Sequence, residues 1–262
     1  MLRTQTRPTR GLAAVGATLL MSTSLLACNE PPDLPPEDTM VLPEFQSNTN
    51  GLSGSAANTT NVSLAAVSVG TVTVALHAVL ALPRAFLAGV LTAKADRDGD
   101  DWVWAKTFPL AGVEGELRGN LDGGTLNLEM YVDGLRNQEQ LNHFLWFTGA
   151  HQQGSGNWTL YAPEVDSGPV LTIDWTRASD TDKTLTFTNV TADVDEQGDV
   201  IEYELKGSAA SFLIHDAKNS QGTSKEFEVN WDVVDGSGRL RFEDETLCWD
   251  TVENGQVDIA CP

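Results

Sequence analysis

The chain is short of bases, of cysteine and of every common catalytic signature. Sixteen Lys and Arg stand against 37 Asp and Glu, a formal net charge of −21 over 262 residues. Phosphate contacts need Lys and Arg, so this balance excludes nucleic acid as a partner. It equally excludes a basic patch that reads an anionic membrane surface. Three Cys are too few for a disulfide-dense scaffold or a cysteine zinc cluster. The four His, at 77, 143, 151 and 215, make neither an HxH nor an HExxH spacing, so no metal site is expected. Nucleophile elbows, P-loops and Rossmann glycines are missing. What the chain does have is 41% apolar residues and seven Trp, enough for a hydrophobic core.

Residues 1–10 carry Arg3, Arg7 and Arg10 and no acid, and residues 11–27 are apolar or small. A basic stretch followed by a short apolar run reads as a secretory signal peptide, too short for a spanning helix. Its end, Leu25-Leu26-Ala27-Cys28, resembles the lipobox of bacterial lipoproteins. The resemblance covers the signal only. It implies that diacylglycerol is attached to the Cys28 sulfur, that the signal is cut before Cys28, and that the new amino group is acylated. Two or three acyl chains anchor stably where one does not, at ~0.8 kcal/mol per buried methylene. The mature chain would hold 13 bases against 37 acids, a net of −24. Asn29 follows Cys28 where enteric lipoproteins retained at the inner membrane carry Asp, so the resemblance points to the outer membrane.

Segment 29–62 reads as a tether. Its first part, NEPPDLPPEDTMVLP, holds five Pro, and its second is rich in Ser, Asn, Gly and Thr with no packing pattern. Thirty-four such residues span ~30 Å root-mean-square, enough to hold a domain clear of the headgroups. From Ser63 the texture changes. Val69, Val72, Leu76, Val79, Leu80, Leu87 and Val90 recur at helical spacing. Alternation over Val67–Leu76 competes as a strand reading, and a second membrane span competes as well. Length and Ala content favour a buried helix over 63–95, broken or kinked at Leu82-Pro83.

Beyond Trp102, apolar and polar residues alternate along antiparallel strands, as in Leu126-Asn127-Leu128-Glu129-Met130 and Ile201-Glu202-Tyr203-Glu204-Leu205. Turn signals separate them: Asp122-Gly123-Gly124, Gly154-Ser155-Gly156, Gln197-Gly198-Asp199 and Asp235-Gly236-Ser237-Gly238. Roughly ten to twelve strands fit between residues 101 and 262. A sheet with one wet face and that many strands must curl. The expected fold is α+β, mostly β: a curved antiparallel meander, or a partial barrel, wrapped around the apolar helix in a single domain over 63–262. A two-sheet sandwich is the runner-up.

With Cys28 assigned to lipid, Cys248 and Cys261 remain, and an exported chain is where they would pair as a disulfide. Asp96, Asp98 and Asp100 invite a calcium reading, but Gly99 falls too early for an EF-hand and Thr107 stands where a Glu is needed. The plain reading is a solvated acidic turn between helix and first strand. His77 is expected as a hydrogen-bonded core residue, and His143 and His151 as surface residues of one strand. The Trp are expected in core and rim packing. Glu202 and Glu204 share a face, but the wet one.

These readings converge on a non-enzymatic lipoprotein: an envelope structural or binding module with no cofactor beyond the lipid on Cys28. Its partners would be the membrane, through that lipid, and an envelope protein. A half-barrel carrier of lipid or another hydrophobic ligand is the alternative. A secreted hydrolase with an acidic active site is the second.

Overall fold

Alternation along the chain becomes fourteen strands and one long helix in the computed structural model, which describes residues 30–42, 60–90, 92–108, 113–136, 139–163, 168–192, 194–217, 225–252 and 255–262. Cys28 lies outside them. After a short 3-10 turn at Glu37–Met40, the helix α1 spans Thr60–Val90. The strands are Ala95–Asp98 (β1), Asp101–Phe108 (β2), Val113–Asp122 (β3), Thr125–Arg136 (β4), Glu139–Gln152 (β5), Ser155–Leu160 (β6) and Leu171–Ser179 (β7). They continue as Asp182–Asn189 (β8), Val200–Lys206 (β9), Ala209–Asp216 (β10), Lys225–Asp232 (β11), Gly238–Phe242 (β12), Glu245–Val252 (β13) and Gly255–Ile259 (β14). Each strand pairs with its sequence neighbours in one antiparallel meander, ordered β1 to β14. The fold is therefore mostly β with one apolar helix, as the alternation predicts.

Several hairpins close through two-residue turns that need positive φ. Gly123 and Gly124 link β3 to β4 at φ 57° and 89°, with Asp122 opposite Thr125. Gln153 and Gly154 do the same between β5 and β6. The first hairpin was missed in the sequence. Asp98 lies opposite Asp101, so the acidic run is the β1–β2 turn and not a helix-to-strand connection. Its strand, Ala-Asp-Arg-Asp, has no apolar alternation to mark it.

Side chains on one face of the sheet are almost all buried. Leu117, Leu128, Met130, Trp158, Ile173, Phe187, Phe212 and Val229 are each at most 1% exposed. A repeated device fits the indoles in. Trp158 lies opposite Gly149, Trp175 opposite Gly156, and Trp249 opposite Gly238. A Cβ on Gly149 would sit 2.5 Å from the Trp158 ring, and one on Gly156 2.8 Å from Trp175. The missing side chain is the space the ring fills. At Trp146 a bulge in β5 shifts the register, and both Trp146 and Phe147 are buried.

At ~4.8 Å per strand a flat sheet of this order would be ~65 Å wide, whereas α1, at 1.5 Å per residue, is ~46 Å long. Yet α1 packs on β2 and β3 near one end of the sheet and on β12, β13 and β14 at the other. The sheet therefore curls into a trough whose two ends meet one helix. The N-terminus of α1 is fixed from 198 residues away: Asp258 of β14 accepts the Thr60 and Asn61 backbone N–H groups, each at 3.0 Å. Asn61 Nδ2 donates to the Cys248 carbonyl at 2.9 Å. Farther along, the Phe86 ring lies 5.5 Å from Trp146.

Three expectations need correction. The helix is not broken at Pro83; it runs through, with Pro83 buried inside it. Packing on both sides of Pro83 offsets the one hydrogen bond it cannot make to Val79. Nor is the helix buried all round. Val62, Ala65, Val69, Leu76, Leu80, Leu87 and Val90 form the buried stripe, whereas Leu64, Val67, Val74 and Val79 are 46%, 66%, 68% and 58% exposed. The sheet is an open trough and covers one side of its helix only. Finally, part of the segment read as a tether is core. Thr39, Met40 and Leu42 are 3%, 0% and 1% exposed. Thr39 Oγ1 accepts a hydrogen bond from Trp158 Nε1 at 3.1 Å, and Asp38 meets Arg177 at 2.9 Å and Lys183 at 3.8 Å.

Candidate functional site

The outer face of the trough carries the polar rows of the strands, and register aligns them. Across β7 to β14 one row reads Thr176, Thr184, Glu204, Ser211, Asn230, Arg239, Cys248 and Ile259. The next row includes Thr186, Glu202, Leu213, Glu228 and Arg241. Lipid-facing barrels put apolar residues outward, and this surface is the reverse.

Two adjoining concavities lie on this face. The larger, about 630 Å³, is lined by Glu204, Lys206, Asn230, Asp232, Arg239 and Asp250, with Ile259 and Pro262 at the C-terminus. The disulfide between Cys248 and Cys261, thirteen positions apart with Cα atoms at 5.2 Å, holds that tail against β13. The smaller, about 480 Å³, is lined by Thr184, Thr186, Glu202, Glu226, Glu228 and Arg241. Arg241 meets Glu228 at 2.9 Å and Glu226 at 3.3 Å. His215 stands 3.8 Å from Glu226. Glu202 and Glu204 are brought together here, on the wet face.

Two carboxylates of the strand ends are held by their neighbours. Asp232 accepts from the Ser208 hydroxyl and from the backbone N–H groups of Val234 and Asp235. Those bonds, led by Ser208, hold its carboxyl below the usual range. Asp180 is likewise lowered, by its hydrogen bond from Arg177. A carboxylate prepared as a general acid would be shifted the other way. Tyr203, whose side chain is buried on the inner face behind the smaller concavity, is pushed up to about 12 by that burial.

The remaining candidates separate rather than converge. Asp96 and Asp98 belong to β1. Asp98 meets Arg118 at 3.3 Å, and Arg118 also holds Glu116 at 2.6 Å. Asp100 sits in the hairpin turn beside Gly99 at φ 64°. Among the described residues, no group of three or more His, Cys, Asp or Glu is placed to hold a metal ion. His77 Nε2 lies 3.2 Å from the Leu42 carbonyl, which ties α1 to the inserted N-terminal segment. His143 is exposed and stacks on Tyr131 at 4.2 Å. His151, expected on the surface, is half-buried against Trp175 at 5.2 Å. Six of the seven Trp are buried; Trp102 alone is half-exposed, under the Arg97 guanidinium at 4.9 Å. Buried indoles offer no stacking platform for a sugar.

Sequence reasoning missed the inserted segment Asp38–Leu42 and the outward stripe of α1. Two apolar residues in a Pro-rich run carry no period, and hydropathy alone cannot say which side of an apolar helix is covered. Comparison with models of known protein families, with curated proteins and with solved structures finds no match.

Proposed function

We propose that the protein is a lipoprotein of the cell envelope, acylated at Cys28, whose β-trough is a non-enzymatic structural or binding module at the outer membrane. The observation that carries this reading is the run Leu25-Leu26-Ala27-Cys28 at the end of a basic and then apolar leader. Occupancy of the trough supports the structural reading over the carrier reading. A half-barrel carrier needs an interior that a ligand can enter. Here Met40, Leu42, Leu80 and Leu87 are at most 1% exposed, in one buried cluster with Trp158, Phe147 and Phe187. The downward shifts of Asp180 and Asp232 lend no support to a hydrolase. An envelope protein docking on the polar outer face, with its two concavities, is the partner this reading supplies.

Growth with a clickable fatty acid tests the anchor. The label should enter the wild-type protein and be lost in Cys28→Ser. A mature N-terminus upstream of residue 28 overturns it. Native mass spectrometry of the purified protein tests the trough: one mass without bound lipid is expected, and a stoichiometric co-purifying lipid would move the assignment to a carrier.

A further inference from the structure

The outward stripe of α1 has no role in the fold, yet it is apolar. Leu64, Val67, Thr71, Val74, Ala78 and Ala85 lie on it, and between Thr60 and Pro83 there is no Asp, Glu, Lys or Arg. In a chain of net charge −21, this is an exposed, uncharged stretch long and apolar enough to cross a membrane, with a mean hydropathy of 2.0. It does not stand free to cross one, because its opposite stripe is packed on the sheet and its N-terminus is held by Asp258.

The inserted N-terminal segment changes how far the domain can stand from its anchor. Leu34 packs against the core, Pro35 is buried, and Asp38 is ion-paired to Arg177. Five residues therefore separate Cys28 from the first packed side chain, a reach of ~20 Å in a Pro-rich chain. The tether expected from the sequence was several times longer in residues. So short a leash holds the domain at the bilayer.

We infer that the outward stripe of α1 rests on the lipid surface in which Cys28 is anchored. This rests on the lipidation proposed above. Charge favours that orientation: an anionic headgroup layer repels an acidic surface, and the α1 stripe is the neutral one. The stripe is built of Val, Ala and Thr rather than large aromatic residues, so its intrinsic hold on lipid is weak. Anchoring offsets this, because a tethered contact is intramolecular and needs little affinity of its own.

The test uses the full chain, matured in a bacterial host and incorporated into phosphatidylethanolamine–phosphatidylglycerol vesicles. With Cys28 acylated and Cys248 paired with Cys261, a Val67→Cys or Val74→Cys variant offers one free thiol for an environment-sensitive fluorophore. Asn157→Cys, on the outer face of β6, is the control. The α1 labels should shift to the blue and lose intensity when brominated acyl chains are included, while the Asn157 label keeps its aqueous spectrum. If mass spectrometry finds residue 28 without acyl chains, the anchor reading fails and this inference with it. If residue 28 is acylated and the α1 labels stay aqueous, only the inference fails. A blue shift that ignores brominated lipid and grows with protein density means that a second copy covers the stripe, and overturns lipid docking.

Discussion

Along each strand, Trp, Leu, Phe and Val face the trough while Thr, Glu and Asp face water; along α1, both stripes are apolar. Strand composition is largely accounted for by folding, since most inward residues are buried and most outward ones hydrated. Folding accounts for only half of the helix. Val69 and Leu80 are at most 1% exposed, but Val67 and Val74 are about two-thirds exposed with equal hydrophobicity. Exposed apolar residues in a contiguous patch mark a contact surface more often than an accident. Two elements of one core thus answer to different constraints, and the sharpest experiments separate the packed stripe from the open one.

Removing α1 should have the largest effect. A chain beginning at Asp96 would uncover Trp104, Leu117, Leu240 and Trp249 together, which lie in the strands α1 packs against. At ~25 cal/mol per Å², burial of half a dozen large side chains amounts to ~10 kcal/mol, the stability of a whole domain. Circular dichroism should show no cooperative melt for that chain. A sharp transition would mean that the strands fold without their helix.

Next in size is the inserted segment. A chain beginning at Thr60 loses Met40 and Leu42, together worth about 4 kcal/mol of burial. It also leaves Trp158 Nε1 and Arg177 without the partners that Thr39 and Asp38 supply. It should melt well below a chain beginning at Glu30. Equal melting temperatures would return this segment to the status of a tether.

Reducing the disulfide should cost about 3 kcal/mol, the loop-closure term for a ring of this size. The cost should reach beyond the C-terminus, because the bridged strand β14 supplies Asp258 to the first turn of α1. Cys248→Ser/Cys261→Ser combined with Asp258→Ala should therefore lose less than the sum of the two changes made separately. Strict additivity in urea melts would show that β14 stays docked without its bridge.

How much of this was legible depends on whether each signal is local. The strands around Leu126–Val132 and Ile201–Leu205 announce themselves by period-two alternation, and the turns by Gly at positive φ, as at Gly123 and Gly198. The disulfide followed once Cys28 was set aside. β1 was hidden because its four residues are mostly charged, and the bulge at Trp146 because it breaks the period that reveals strands. The capping of α1 by Asp258 joins residues 198 apart, and no local pattern records such a pair. The outer concavities were equally hidden, since they arise from sheet curvature rather than from a motif. Helix α1 was legible as an element but not in its exposure.

The inner face also carries a pH signature. Tyr203 is 3% exposed on β9, its ring centroid 6.3 Å from that of Trp231, and burial raises its hydroxyl to about 12. In the unfolded chain it ionises near pH ~10. A raised folded pKa means the contribution is fully present below the unfolded value and is lost as pH climbs to the folded one. Stability should thus fall by roughly 2 kcal/mol between about pH 10 and pH 12. Tyr203→Phe should flatten that part of the curve in urea melts. Absorbance at 295 nm should show Tyr203 ionising late, together with Tyr131, whose hydroxyl donates to Glu129 at 2.8 Å, out of three Tyr in all. A normal titration of Tyr203 would mean that water reaches the inner face.

The smallest effects come from one substitution made in the two regions. Gly149 lies under the Trp158 ring, and an added Cβ would stand 2.5 Å from it, closer than real contacts allow. The ring cannot move aside easily, being edge-on to Phe147 at 5.4 Å and bonded to Thr39. Gly149→Ala should lose about 1–2 kcal/mol through overpacking. On α1, a Cβ at Gly70 meets nothing within 4 Å. Gly70→Ala should therefore gain about 0.5–1 kcal/mol, by helix propensity and a less flexible unfolded chain. Thermal melts of the two variants should move in opposite directions. If Gly70→Ala also destabilised the purified protein, the space beside Gly70 would already be filled in solution. A second copy on the open stripe would then displace lipid as its occupant.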